Sequence, residues 1–247
     1  MTAESERTMR REFTEALRLE ARAGWTKAVA NHFSVAVAPG SPRARFNPSK
    51  ILFANVTASA LIGVDSSVDG KIDRPEKLDP TAPAPQSPLH QNVSYARCVI
   101  QAHAIHATVL ACLVHSRMPV IDQNIAVFHD WVLIDTTLSR SRLRRGGCTR
   151  RGAVHRRLQA GDGDVDGKTW RAGAWRYGRS SIRPTILFRA RGRNPYHDLP
   201  DGRLLRVLTD VIVAQTAAQN DTYPEQANRH FAQMMNIIDR EELDYRA

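Results

Sequence analysis

Apolar side chains at Met9, Phe13, Leu17 and Ala21 recur four apart through SERTMRREFTEALRLEARAGW, with polar residues at most positions between them. That spacing stacks one apolar stripe along an α-helix, so the chain opens on an amphipathic helix with one face for a core. HFSVAVA at 32–38 and KILFANVT at 50–57 predict strands, and ARCVIQAHAI at 96–105 predicts a buried strand running to a polar end. ATVLACLVHS at 107–116 has the length of a short helix packed on the sheet, and DPTAPAPQSP at 79–88 reads as a proline-rich loop. Two further helices are predicted from LLRVLTDVIVAQTAAQ and YPEQANRHFAQMMNIIDREE, the second with Pro224 in its first turn. These elements describe one α/β domain over residues 1–247, disrupted in the middle.

The disruption shows in the charge. Residues 139–203 hold 17 of the 35 Lys+Arg and 5 of the 25 Asp+Glu, a local balance of +12, which leaves 18 against 20 elsewhere. The formal net charge of +10 therefore comes wholly from this window. Sixteen of its 17 basic residues are arginine, and it holds 10 of the 14 glycines. Neither helical nor strand periodicity persists there for more than a few residues. A basic segment of this kind could bind nucleic acid through phosphate contacts, but it interrupts a patterned chain where such arms usually end one. Nucleic acid is thus the least favoured partner.

Within the window, GDGDVDGKTW places Asp162, Asp164 and Asp166 at alternate positions ahead of Gly167, like the opening of an EF-hand calcium loop. The twelfth position, which should be a bidentate glutamate, is Gly173, and the flanks lack helical patterning, so calcium is not expected. Cys98, Cys112 and Cys148 form no C-x-x-C pair, which argues against a disulfide framework or a zinc ribbon. No run reaches the roughly 18 apolar residues of a membrane span, and MTAESERTMRREF contains no apolar signal core. A cytoplasmic, non-membrane protein is the expectation.

Several segments together carry a resemblance. DPTAPAPQSPLHQNVSYARCVIQAHAIHATVLACL at 79–113, MPVIDQNIAVFHDWVLID at 118–135 and the ending YPEQANRHFAQMMNIIDREELDY resemble the class II aldolase/adducin family, in its bacterial adducin-like branch. NHFSVAV and FNPSKILFANVTASALIGVD fit the same pattern, so the resemblance covers residues 8–137 and 203–246. It implies a three-layer α/β/α fold around a largely antiparallel central sheet, assembled as a homotetramer. It also implies zinc or another divalent metal, and a small sugar phosphate or related carbonyl compound as substrate, cleaved or epimerised through an enediolate. Such chemistry leaves negative charge on oxygen, which a Lewis acid held by neutral imidazoles stabilises.

The resemblance implies two metal-ligating histidines in a His-x-His pair at the end of the buried strand, and a third from a later Gly-Asn/Lys-His-Gly turn. Here the pair reads QAH, with Gln101 in the first ligand position and His103 retained in the second. His106 is a possible substitute, as is His90, while Gln86 stands where this branch often has another histidine. Ala82 stands where sugar-phosphate aldolases have an acidic residue. Glutamine is a poor zinc ligand, because its amide oxygen is neutral and hard. No catalytic residue is assigned.

The third histidine should come from the arginine-rich window, and the genetic code explains its absence. Read one base later, each GAY aspartate codon followed by G becomes AYG, which is Met or Thr. Thr169 followed by Trp170 becomes CNT, which includes His, and Trp170 followed by Arg171 must become Gly. Residues 162–170 are thus compatible with M-V-M-L-M-G-K-H-G, the turn the resemblance requires, and the agreement continues through the segment that follows. Residues 138–201 are accordingly read as out of frame and are expected to be poorly ordered. The expected function is a metal-dependent carbon–carbon lyase or epimerase, impaired in this copy. The alternative is a non-catalytic adducin-head-like assembly module.

Overall fold

The computed structural model describes residues 2–26, 28–67, 71–92, 97–101, 119–126, 206–221 and 226–247. Helix α1, Ala3–Arg22, starts where Thr2 Oγ1 accepts the Ser5 N–H at 3.2 Å, with Glu4 and Glu6 placed to favour the positive end of its dipole. Met9, Phe13 and Leu17 are buried, as the fourfold spacing predicts.

Five short strands follow: β1 His32–Ala36, β2 Arg43–Phe46, β3 Ile62–Asp65, β4 Lys71–Ile72 and β5 Cys98–Gln101. They form one sheet in the order β4-β3-β2-β1-β5, and each of these pairings is antiparallel. Because side chains alternate across a pleated strand, the sheet sorts its residues cleanly. Phe33, Val35, Cys98 and Ile100 share a core with Phe13 and Leu17 of α1 and with Phe231, Met235 and Ile238 of a C-terminal helix. On the other face, Ala44, Phe46, Ile62 and Val64 cluster with Leu78 and Ala82. Helix α2, Pro83–Asn92, lies on that side. Helices therefore flank both faces of an antiparallel sheet in the described part of the chain.

Two expectations need correction. Residues 50–57 form no strand: Lys50 has φ +62°, and Phe53–Asn55 and Ala58–Ala60 are single 3-10 turns. The buried pair Phe53 and Val56 is spaced by three, which suits a 3-10 face, while Ile51 and Leu52 are exposed. The proline-rich stretch is not a loop either, since α2 begins inside it. Pro83 falls in the first turn, where no backbone N–H is needed, and Pro88 is carried in the interior. Asn92 Nδ2 donates to the Pro88 carbonyl at 2.8 Å, near the helix end. Strands β2, β3 and β4 were not expected, because each is too short for alternation to register.

Beyond the sheet lie α3 (Gln123–Ala126), α4 (Asp210–Asp221) and α5 (Gln226–Glu241), the last two matching the predicted C-terminal helices, with α4 starting later than predicted. Leu208 N–H donates to the Val120 carbonyl at 2.7 Å, tying the stretch before α4 to the stretch before α3. The helix expected at 107–116, Pro224 and the whole 138–201 window lie outside the described residues.

A final 3-10 turn, Leu243–Arg246, clasps α1. Arg18 is buried and donates to the Val56 carbonyl at 3.2 and 3.1 Å, to Glu242 at 3.0 Å and to Asp244 at 2.9 Å. Tyr245 is fully buried, its hydroxyl 2.5 Å from Glu15 Oε1 and 2.5 Å from Asp239 Oδ1. Burial pushes the Glu15 carboxyl up, against the lowering pull of Tyr245 and Arg11. Replacing Tyr245 by Phe removes the one hydroxyl proton shared between these carboxylates, which keep Arg11 and Arg246 as donors, and a loss of about 1 kcal/mol is expected in urea unfolding. An unchanged midpoint would show that the clasp is held by the arginines alone.

Candidate functional site

The face of the sheet that carries α2 changes character at β1. From β2 and β3 it presents only apolar side chains, but β1 presents His32 and Ser34. Residues directly opposite each other in an antiparallel pair share a face, and β5 sets Gln101 opposite His32 and Val99 opposite Ser34. Helix α2 adds Gln86 and His90, four residues apart and so on one helical face. Gln86 Nε2 donates to the His32 carbonyl at 2.7 Å, and His90 Nε2 meets Ser34 Oγ at 2.7 Å. Ser34, Gln86 and His90 are all buried.

At the end of this polar column, His32 Nε2 lies 3.7 Å from Asp79 Oδ2. Burial pushes the His32 imidazole below its ordinary value, more strongly than the Asp79 carboxylate raises it. Asp79 Oδ1 accepts the Thr81 N–H at 2.8 Å and the Thr81 hydroxyl at 2.6 Å. Although burial pushes that carboxyl up, the Thr81 donors and His32 hold it below the usual carboxylate range. Gln86 Oε1 is buried and has no hydrogen-bond partner among the described residues. Burying an amide oxygen unpaired costs free energy that an apolar side chain would not, so its retention here calls for a reason.

The start of β1 is fixed from behind. Asn47, buried, accepts the Phe33 N–H through Oδ1 at 2.7 Å and donates through Nδ2 to the carbonyls of Asn31 at 3.1 Å and Pro48 at 3.0 Å. One side chain thus sets the strand entry that places His32. Cys98 points to the opposite face, and burial, then the charge of Glu20, push its thiol well up, so it offers no thiolate to this column.

The sequence profile of the Class II Aldolase and Adducin N-terminal domain matches residues 11–160 of this chain. The chain belongs to the class II aldolase and adducin family. A Pseudomonas aeruginosa protein named as an aldolase class 2 protein is 29% identical over 110 residues, which is 44% of this chain and 42% of that protein's length. The chain therefore aligns with less than half of that relative. Among solved structures, an aldolase II superfamily protein from Pseudomonas syringae superposes with a TM-score of 0.78 at 20% identity, covering 100% of this chain and 98% of the other. L-fuculose 1-phosphate aldolase from Glaciozyma antarctica superposes with a TM-score of 0.72 at 17% identity, covering 100% and 95%. These likenesses carry the class II aldolase fold.

For this class II aldolase fold, the residues expected at the site are distributed as follows. Gln101 ends β5, half-buried, opposite His32. Gln86 and His90 are on α2, facing β1, and Ala82 is buried in the apolar cluster beside them. His103 and His106 lie outside the described residues. The donors gathered here are two amides, an imidazole beside a carboxylate and an imidazole bonded to a serine. Among the described residues, no three His, Cys, Asp or Glu side chains are grouped to hold an ion. Zinc favours imidazole or thiolate in a tetrahedron, and this described donor set does not fit it.

His32, Ser34 and Asp79 were missed at the level of sequence. The usable signal was NHFSVAVA itself, in which His32 and Ser34 occupy alternate positions and so must share one face of a strand. Replacing Ser34 by Ala removes the 2.7 Å contact from a buried histidine, and a destabilisation of about 1–3 kcal/mol is expected by urea unfolding. No change would mean that the Ser34 contact adds nothing to the packing of α2.

Proposed function

We propose that this chain carries its family's carbon–carbon lyase or epimerase site in impaired form, derived from enzymes that act on small sugar phosphates or related carbonyl compounds. Supporting the substrate class is the fold shared with a structure named as L-fuculose 1-phosphate aldolase. The observation that carries the impairment is Gln101, which sets an amide at the end of β5 where the resemblance expects a ligating histidine. Ala82 likewise brings no acidic group. His103 is assigned as the one retained ligand position and His106 as a possible substitute. His103, even with His106 recruited, falls short of the three protein ligands of a catalytic zinc site, so metal binding is expected to be weak.

The same reading assigns residues 138–201 to translation out of frame, with the loss of the third ligand. A second reading, a non-catalytic adducin-head-like module acting through homotetramer assembly, is favoured by the same two substitutions, since assembly needs neither side chain. A tetramer in gel filtration that carries no metal would select it.

The gene provides the direct test. Between the codons for residues 138 and 201, the frame starting one base later should be open. Val165 should be encoded by GTT, Thr169 by ACA and each of Asp162, Asp164 and Asp166 by GAT, so that the shifted frame gives Leu, His and three Met. A stop in that frame, or another Thr169 codon, contradicts the loss of a histidine there. At the protein level, Gln101→His alone should leave zinc binding weak, because one further ligand would still be missing. Stoichiometric zinc in that variant, measured by elemental analysis, would place the third ligand elsewhere in the chain.

A further inference from the structure

The polar column at the α2 face holds an acceptor that the described residues leave unused. Gln86 is 1% exposed, its Nε2 is committed to the His32 carbonyl at 2.7 Å, and Oε1 on the same carbon is buried without a partner among the described residues. His32 stands directly opposite Gln101, so a second amide, half-buried, ends the neighbouring strand at the same level of the sheet. An amide both donates and accepts. A neutral hydroxyl group has the matching property, as it can donate to Gln86 Oε1 while accepting from the Gln101 amide.

Charge decides the class of ligand. The carboxylate at this end, Asp79, already accepts two hydrogen bonds from Thr81 at 2.8 and 2.6 Å and has His32 3.7 Å away. Both of those bonds fall on Oδ1, and among the described residues no third ligating side chain joins His32 and Asp79 to hold a cation, while the carboxylate charge disfavours an anion. Among the described residues, no Lys or Arg contacts this group in a described hydrogen bond or ion pair of the kind that holds a phosphate or carboxylate.

We propose that Gln86 and Gln101, at the His32–Asp79 end of the column, form a metal-independent subsite for a small neutral polyol. The proposal rests on the reading that this end of β5 is the functional site, and it deepens that reading by naming what the substituted residues bind. The two amides hold adjacent hydroxyl groups, Gln86 as acceptor and Gln101 as donor and acceptor. Asp79 stays capped by Thr81 and takes no part in the binding.

The test uses the full chain, treated with EDTA, with erythritol as the probe and 1-butanol as a control that lacks adjacent hydroxyls, read by saturation-transfer NMR. Saturable erythritol binding is expected without metal, absent for 1-butanol, and about tenfold weaker or more in Gln101→Leu and in Gln86→Leu. Gln101→Leu is the safer variant because the residue is half-buried at a strand end; an unchanged circular-dichroism spectrum confirms the fold of each. Binding retained in both folded variants overturns the subsite and leaves the reading of an impaired aldolase site intact. Binding that appears only after zinc is added overturns both. Absence of binding with and without zinc overturns the subsite alone.

Discussion

The antiparallel register of β1 on β5 is the constraint on which the rest of the structure depends. It sets Phe33 opposite Ile100 on one face and His32 opposite Gln101 on the other, so a single pairing defines both the core under α1 and the polar column under α2. A slip of one residue would exchange the faces, driving His32 and Ser34 into the Phe13 and Leu17 core and exposing Phe33 to Gln86 and His90. The Asn47 side chain opposes that slip, since it ties the Phe33 N–H and the Asn31 carbonyl to the end of β2. Phe33 meets Phe53 edge-on at 4.9 Å between ring centroids, which anchors the same strand from the apolar side.

The two faces are not equivalent in cost. Burial of Phe13, Leu17, Phe33 and Ile238 is favourable without further conditions, whereas Gln86, His90 and Ser34 must each recover their lost hydration through specific partners. Two of those partners are found, at His32 and between Ser34 and His90. Of these three side chains, Gln86 keeps a carbonyl oxygen with no hydrogen-bond partner among the described residues, on the side chain that reaches the His32 carbonyl opposite Gln101. Packing alone would favour apolar residues at these positions, as β2 and β3 have on the same face.

Legibility in the sequence followed element length. The 20 residues of α1 and the 16 of α5 repeat their apolar spacing often enough to be read directly, and β1 and β5 stand out as apolar runs. Strands of two to four residues, such as β2, β3 and β4, contain too few alternations to separate from turns. Prolines misled at 79–88, because a first-turn proline and a loop proline look alike until the following turn is seen to be helical. At the site, the resemblance singled out Gln101, Gln86 and His90, but His32 and Asp79 come together only through the sheet and the turn before α2. The profile match runs to residue 160, past the point near 137 where the family-like motifs end, so the boundary of the arginine-rich window is better judged from codons than from residues.

The central claim is that this class II aldolase-family chain has lost the ligand set that would hold a metal at the end of β5. It is tested most directly by elemental analysis of the unaltered, purified full chain after dialysis against zinc and removal of excess. The account predicts zinc far below one equivalent per chain, with no change on replacing His103 by Ala. One equivalent of zinc, lost when His103 is replaced, would contradict it.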